Sequence, residues 1–183
     1  MRRFAFSLVV GLAAIAFAGG QEARKPPVIG QPQQATAGID AIMAYNGTWK
    51  VEGERFATAY SDAGKEESTL RNECWKSGAY VACNQFVNGD SKVLLVFTYD
   101  DKQKMYTSYP IPQNGNAVTA GRLQIIGNIW TFPWQVTQGP NITFFHVVNV
   151  FTSGDHIEYA QEFSTDNVHW TTMAKGNETK TGN

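Results

Sequence analysis

The sequence predicts an all-β fold, an antiparallel up-and-down barrel of roughly ten strands entered through a short N-terminal helix. Three observations carry that expectation. Helical periodicity ends near Tyr45, and apolar and polar residues then alternate in ten short segments. Turn residues separate many of these segments, so each strand folds back beside the one before it. At the junction of helix and first strand stands Gly47-Thr48-Trp49, where glycine permits a sharp change of direction and an indole can plug the closed end of a barrel.

Along the 183-residue chain, Arg2 and Arg3 precede an apolar run from Phe4 to Phe17 that is too short to span a membrane comfortably. Ala16-Phe17-Ala18 has the small-x-small pattern of a signal peptidase site, so residues 1–18 read as a signal peptide. The mature chain is then expected to be periplasmic or secreted, with no stable membrane anchor after cleavage. Residues 19–37, rich in Gln, Pro and Ala, read as a flexible leader, 38–177 as the single barrel domain and 178–183 as a polar tail. In the helix, Ile39, Ile42 and Met43 share a face. Strands are expected near 47–57, 66–76, 79–88, 91–99, 104–112, 117–125, 127–136, 142–152, 156–164 and 168–176. Ten strands should close on themselves and so remove their edges.

Cys74 and Cys83 are the only cysteines. A two-residue turn at Gly78-Ala79 sets Ser77 opposite Tyr80 and Cys74 opposite Cys83, at a non-hydrogen-bonded site where side chains approach closely. A disulfide there closes a loop of about ten residues, worth ~2.5–3 kcal/mol in the chain-entropy picture.

Parity pairs the last three strands. A turn at Asp166-Asn167 sets Phe163 opposite Trp170, Gln161 opposite Thr172 and Tyr159 opposite Ala174. A turn around Ser153-Gly154 sets Val148 opposite Tyr159, His146 opposite Gln161 and Phe144 opposite Phe163. Slipping the register by one residue would bury Glu158 and Glu162. The inward face then carries a polar row of His146, Gln161 and Thr172 among apolar Phe144, Val148, Tyr159, Phe163 and Trp170. Such a row either orients the polar end of a ligand in an apolar pocket or satisfies itself as a buried network.

Formal net charge is −1, with 15 basic and 16 acidic residues, which provides no long-range attraction for nucleic acid or anionic lipid. His146, His156 and His169 form no metal set, and Asp100-Asp101 lies in a turn where neighbouring side chains point apart. No nucleophile, general base or phosphate loop has the spacing catalysis needs. The partner expected is a small apolar molecule. The alternatives are an envelope structural or interaction protein with a filled barrel, and a haem protein with His146 as axial ligand.

Several stretches follow one another in a telling order: Gly47-Thr48-Trp49-Lys50-Val51-Glu52-Gly53-Glu54, the Cys74-Trp75…Cys83 hairpin, Tyr99-Asp100, Gly127-x-x-Trp130-x-Phe132 and Phe163-Ser164-x-Asp166…Trp170. Across residues 40–176 the chain resembles the exported bacterial proteins of domain-of-unknown-function family 1579, which look like distant relatives of the calycins, the superfamily of lipocalins and fatty-acid-binding proteins. The resemblance implies a barrel with a helical plug, and ligand carriage or, in nitrobindin-like relatives, haem binding. It also implies a late-strand arginine packed on the Gly-x-Trp indole. Here the last expected strand offers only Lys175, on its outward face, so that clasp is expected to be missing.

Overall fold

The computed structural model describes residues 38–114 and 120–183. The signal peptide, the leader and the start of the sixth expected strand lie outside these residues. A 3-10 helix, Ile39–Tyr45, leads into ten strands: β1 Gly47–Arg55, β2 Gly64–Ser77, β3 Tyr80–Val87, β4 Asp90–Asp100, β5 Met105–Pro112, β6 Gln124–Ile126, β7 Ile129–Gln138, β8 Asn141–Ser153, β9 His156–Ser164 and β10 Thr171–Gly182. They form one sheet in the order β5-β4-β3-β2-β1-β10-β9-β8-β7-β6. Every neighbour is a sequence neighbour except β1 and β10, whose antiparallel pairing brings the chain ends together. At the sheet's two margins, Ser108 and Gly121 exchange backbone hydrogen bonds of 2.8 Å, so the barrel is nearly closed.

The closed end is built around Trp49. Its indole is fully buried and donates to the carbonyl of Tyr45 at 3.1 Å, tying the first strand to the last turn of the helix. Gly47 is required there for two reasons. Its φ of 123° strains any L side chain, and a Cβ would lie 2.5 Å from the Gly182 carbonyl oxygen. Ile42 and Tyr45 are the helix residues buried in the barrel, and Tyr45 meets Trp130, Phe132 and Phe151 edge-on. The aromatic side chains fill this half of the barrel as a core.

The β2–β3 hairpin has the expected register, with Ser77 opposite Tyr80 and Cys74 disulfide-bonded to Cys83. Three other expectations are corrected. Among the described residues the sixth strand is Gln124–Ile126. The chain from Asn177 is no tail: β10 runs to Gly182, pairing Asn177 to Thr179 with β9 and with β1. Its inward residues there are Gly176, Glu178 and Lys180, so the strand carries no apolar alternation to betray it. This extension also restores the clasp, because Lys180 sets its Nζ 5.6 Å from the centre of the Trp49 ring.

The third correction is the register on both sides of β9. Phe163 pairs with Thr171 and Phe145, where Trp170 and Phe144 were expected. The loop before β10 is longer than a two-residue turn because the Asp166 carboxylate gathers the Val168 and His169 backbone N–H groups, at 2.9 and 2.8 Å. A bulge at Met173 then brings Ala174 opposite Gln161. In the β8–β9 hairpin a two-residue turn sets Ser153 opposite His156, and a bulge at Thr152 shifts the rest. The faces of β9 stand as expected, with Ile157, Tyr159, Gln161 and Phe163 inward and Glu158 and Glu162 outward. The strand that turned over is β8: Phe145, Val147, Asn149 and Phe151 face the interior, and Phe144, His146, Val148 and Val150 do not.

Candidate functional site

The register divides the six residues expected to form one site. His146, Thr172 and Trp170 come together on the outside of the barrel. His146 Nε2 lies 2.8 Å from Glu162 Oε2, and the Thr172 hydroxyl donates to Glu162 Oε1 at 3.1 Å. Trp170 stacks on the imidazole with ring centres 3.7 Å apart, which leaves His146 only 1% exposed despite its outward position. The Ser164–Trp170 loop makes this possible. Asp166 organises it, and bonds from the His169 ring, then from the His169 and Val168 backbone and Ser164, hold its carboxyl well below the usual range. Phe144 shares this outer face, opposite Ser164. An imidazole engaged by Glu162 beneath an indole does not face the interior, so the residues do not fit a haem inside the barrel.

Tyr159 and Gln161 do face the interior, beside groups absent from the sequence reading. Asn149 is the in-register partner of Tyr159, and its amide donates to the Tyr45 hydroxyl. Glu178 on β10 is 3% exposed, and burial, reinforced by the charge of Glu66, pushes its carboxyl up to about 7. Burial likewise raises the Tyr159 phenol, with Glu66 and Glu178 adding to the effect; Tyr45 is raised by burial and then by Glu178. The side chains of β2, β9, β10 and the helix therefore meet in one acidic polar layer. Four buried oxygens of this region have no protein partner: Glu178 Oε2, Tyr159 Oη, Asn149 Oδ1 and Gln161 Oε1.

Above this layer the mouth is aromatic. Trp134 stacks on Phe145 at 5.4 Å, and Tyr60 from the β1–β2 loop meets Phe145 and Phe163 edge-on at 5.3 and 4.8 Å. Met173, brought in by its bulge, completes the cluster. The layer also approaches the surface at one side. Gly53 and Gly176 pair across β1 and β10, and a Cβ on either would come within 2.4 or 2.8 Å of the Tyr159 hydroxyl. Outside Gly53 opens a cleft of about 590 Å³ lined by Glu52, Glu54, Glu66 and Glu67 with Lys65.

Little in the sequence marks these residues. Glu178 lies in what reads as a tail, and Asn149 changes faces with the β8 register; only its place among Val147, Val148 and Val150 signals a buried polar group. Asp100 caps the β4–β5 turn by accepting from the Lys102 and Gln103 N–H groups, and Asp101 pairs with Lys104 at 2.7 Å. Among the described residues, no group of three or more His, Cys, Asp or Glu is placed to hold a metal ion, and no helix is long and apolar enough to cross a membrane. No protein-family model matches the chain, and no curated protein matches it.

Proposed function

We propose that this is an exported barrel, related to the calycin-like family 1579, that binds or carries a small, largely apolar molecule inside the barrel. The supporting observation is the set of four unpartnered buried oxygens beneath an aromatic mouth. Burying a polar atom without a partner costs about 1–3 kcal/mol, so such atoms gathered in one region call for a partner from outside the chain. Tyr159, Gln161, Asn149 and Glu178 orient the ligand, and Trp134, Phe145 and Phe163 cover its apolar part. In this reading His146, Thr172, Trp170 and Phe144 support the barrel from outside. The N-terminal basic–apolar run and the disulfide support export.

The close aromatic packing around Tyr45 favours a second reading, a filled scaffold that binds through its outer surface. Native mass spectrometry of the protein purified from its own compartment separates the two. A carrier shows a mass excess that is lost on denaturation and a melting temperature raised by the released compound. A bare mass with no such stabilisation sinks the carrier.

A further inference from the structure

We propose that the polar end of the ligand is a protonated amine, received by Glu178 with Tyr159 and Asn149. This rests on the reading that the barrel holds a small molecule, and adds the class of molecule. Beside Glu178, its own Oε2 and Asn149 Oδ1 can only accept while Glu178 is ionised; Gln161 Oε1, a third acceptor, lies further along in the row of Arg55, whose Nε is an unpartnered donor. The fourth, on Tyr159, is a hydroxyl that can do either. Their complement is a group rich in N–H donors.

Charge points the same way. The groups facing Glu178 are Glu66 from β2, Tyr159 from β9 and Tyr45 from the helix, and none of them is a cation. Two cations stand further along the wall. Lys180 lies two residues on, with its Nζ over Trp49. Arg55, whose buried Nε has no partner, is four residues along β1 from Val51, the partner of Glu178, or roughly 13 Å at the strand rise, and shares a row with Gln161 through Ala174; its guanidinium lies where a Cβ on Gly64 would be. A ligand carboxylate placed beside Tyr159 would meet two glutamates; an ammonium would meet their attraction in a low dielectric. The cleft outside Gly53 adds Glu52, Glu54 and Glu67 to Glu66, against Lys65 and the Arg55 guanidinium beside Gly64, with Glu52 engaged by Lys50 at 2.7 Å. Because burial holds the Glu178 carboxyl up at about 7, an arriving ammonium releases a proton from it at neutral pH.

The test is isothermal titration of the full-length protein with n-octylammonium, octan-1-ol and octanoate, which share a chain and differ only in the head. The expected result is binding of the ammonium at least tenfold tighter than the alcohol or the acid. Titration in two buffers of different ionisation enthalpy should show proton release. Glu178→Gln should abolish the preference and the proton release, and Tyr159→Phe, which keeps the ring, should weaken ammonium binding several-fold. Equal or tighter binding of the alcohol or acid overturns the amine and leaves the small-molecule reading standing. So does a preference unchanged in both variants. If none of the three binds and native protein carries no ligand, both readings fall.

Discussion

Two polar clusters lie on opposite faces of β8, β9 and β10, and they differ in which atoms they leave unpaired. Outside, both Glu162 oxygens are engaged, by His146 and Thr172, and Trp170 covers the imidazole. Inside, one residue away along β9, Gln161 leaves its carbonyl unpaired, and Tyr159, Asn149 and Glu178 each leave an oxygen unpaired as well. Both clusters are buried and each leaves atoms unpaired: outside these are nitrogens, His146 Nδ1 and Trp170 Nε1, and inside they are oxygens. A ligand reaching Glu162 would have to break its bonds to His146 and Thr172. A layer of unpaired acceptors gains bonds when a ligand arrives.

The most severe way to break this contrast is His146→Ala. It removes a buried ring from beneath Trp170 and a partner from Glu162, so we expect a loss of about 2–4 kcal/mol in urea unfolding. The m-value should stay unchanged, because the same surface is exposed on unfolding. Ligand binding by the folded variant should be unaffected. A folded His146→Ala protein that no longer binds its ligand would place the site outside and reverse the assignment.

Glu178 distinguishes the clusters by pH. Burial holds its folded carboxyl at about 7, above the ordinary carboxyl value of about 4.5, so the native state binds the extra proton. Its contribution is fully present below about pH 4.5 and is lost as pH rises through 7, a fall of about 2–4 kcal/mol from this group. In Glu178→Gln that slope should vanish, and at pH 8 the variant should unfold at higher urea than the parent. Asp166, depressed by its bonds to His169, Val168 and Ser164, acts in the opposite sense: its contribution holds above the ordinary carboxyl value of about 3.8 and disappears only as pH falls below it. The two windows hardly overlap, so the difference between parent and Glu178→Gln in chemical denaturation between pH 5 and 8 reads the interior, the histidines being common to both. No pH dependence in that difference would mean that Glu178 is not buried.

The difference between the clusters was legible in the sequence only in part. Barrel class, the Gly47-Thr48-Trp49 junction and the cysteine hairpin are local features, set by turn chemistry and by parity over a few residues. The inward face of β9 was legible too, because Glu158 and Glu162 alternate with Ile157, Tyr159 and Phe163. β8 lacks that asymmetry. Phe144-Phe145-His146-Val147-Val148 is apolar on both faces, so either orientation buries hydrophobic side chains. A single bulge at Thr152 decides between them, and parity counting cannot place a bulge. Moving β8 by one residue took His146 out of the proposed site and put Asn149 in. Glu178 was hidden for another reason, since a strand with glycine and charged residues inside has the composition of a tail. A slip of β9 would bury Glu158 and Glu162, but the shift falls on β8 and leaves the faces of β9 as they were.

The smallest expected effect tests the other end of β10. Lys180 lies over Trp49, and its stem runs beside Gly47, where a Cβ would meet Lys180 Cε at 2.5 Å. Lys180→Met keeps the stem and removes only the charge, so the loss should be that of one cation–π contact, about 0.5–1 kcal/mol. Lys175→Met is the matched control: Lys175 Nζ lies 5.5 Å from the Phe56 ring, but the side chain is exposed, so water weakens the contact and the loss should be smaller. Neither change should alter the pH slope assigned to Glu178 by more than a small part, since the Lys180 ammonium is directed at the indole. If Lys180→Met instead lowers the folded pKa of Glu178, the ammonium is not neutralising it. If it raises that pKa by a unit or more, Lys180 is the counter-charge of the inner cluster, and the layer is less open to an incoming amine than its unpaired oxygens suggest.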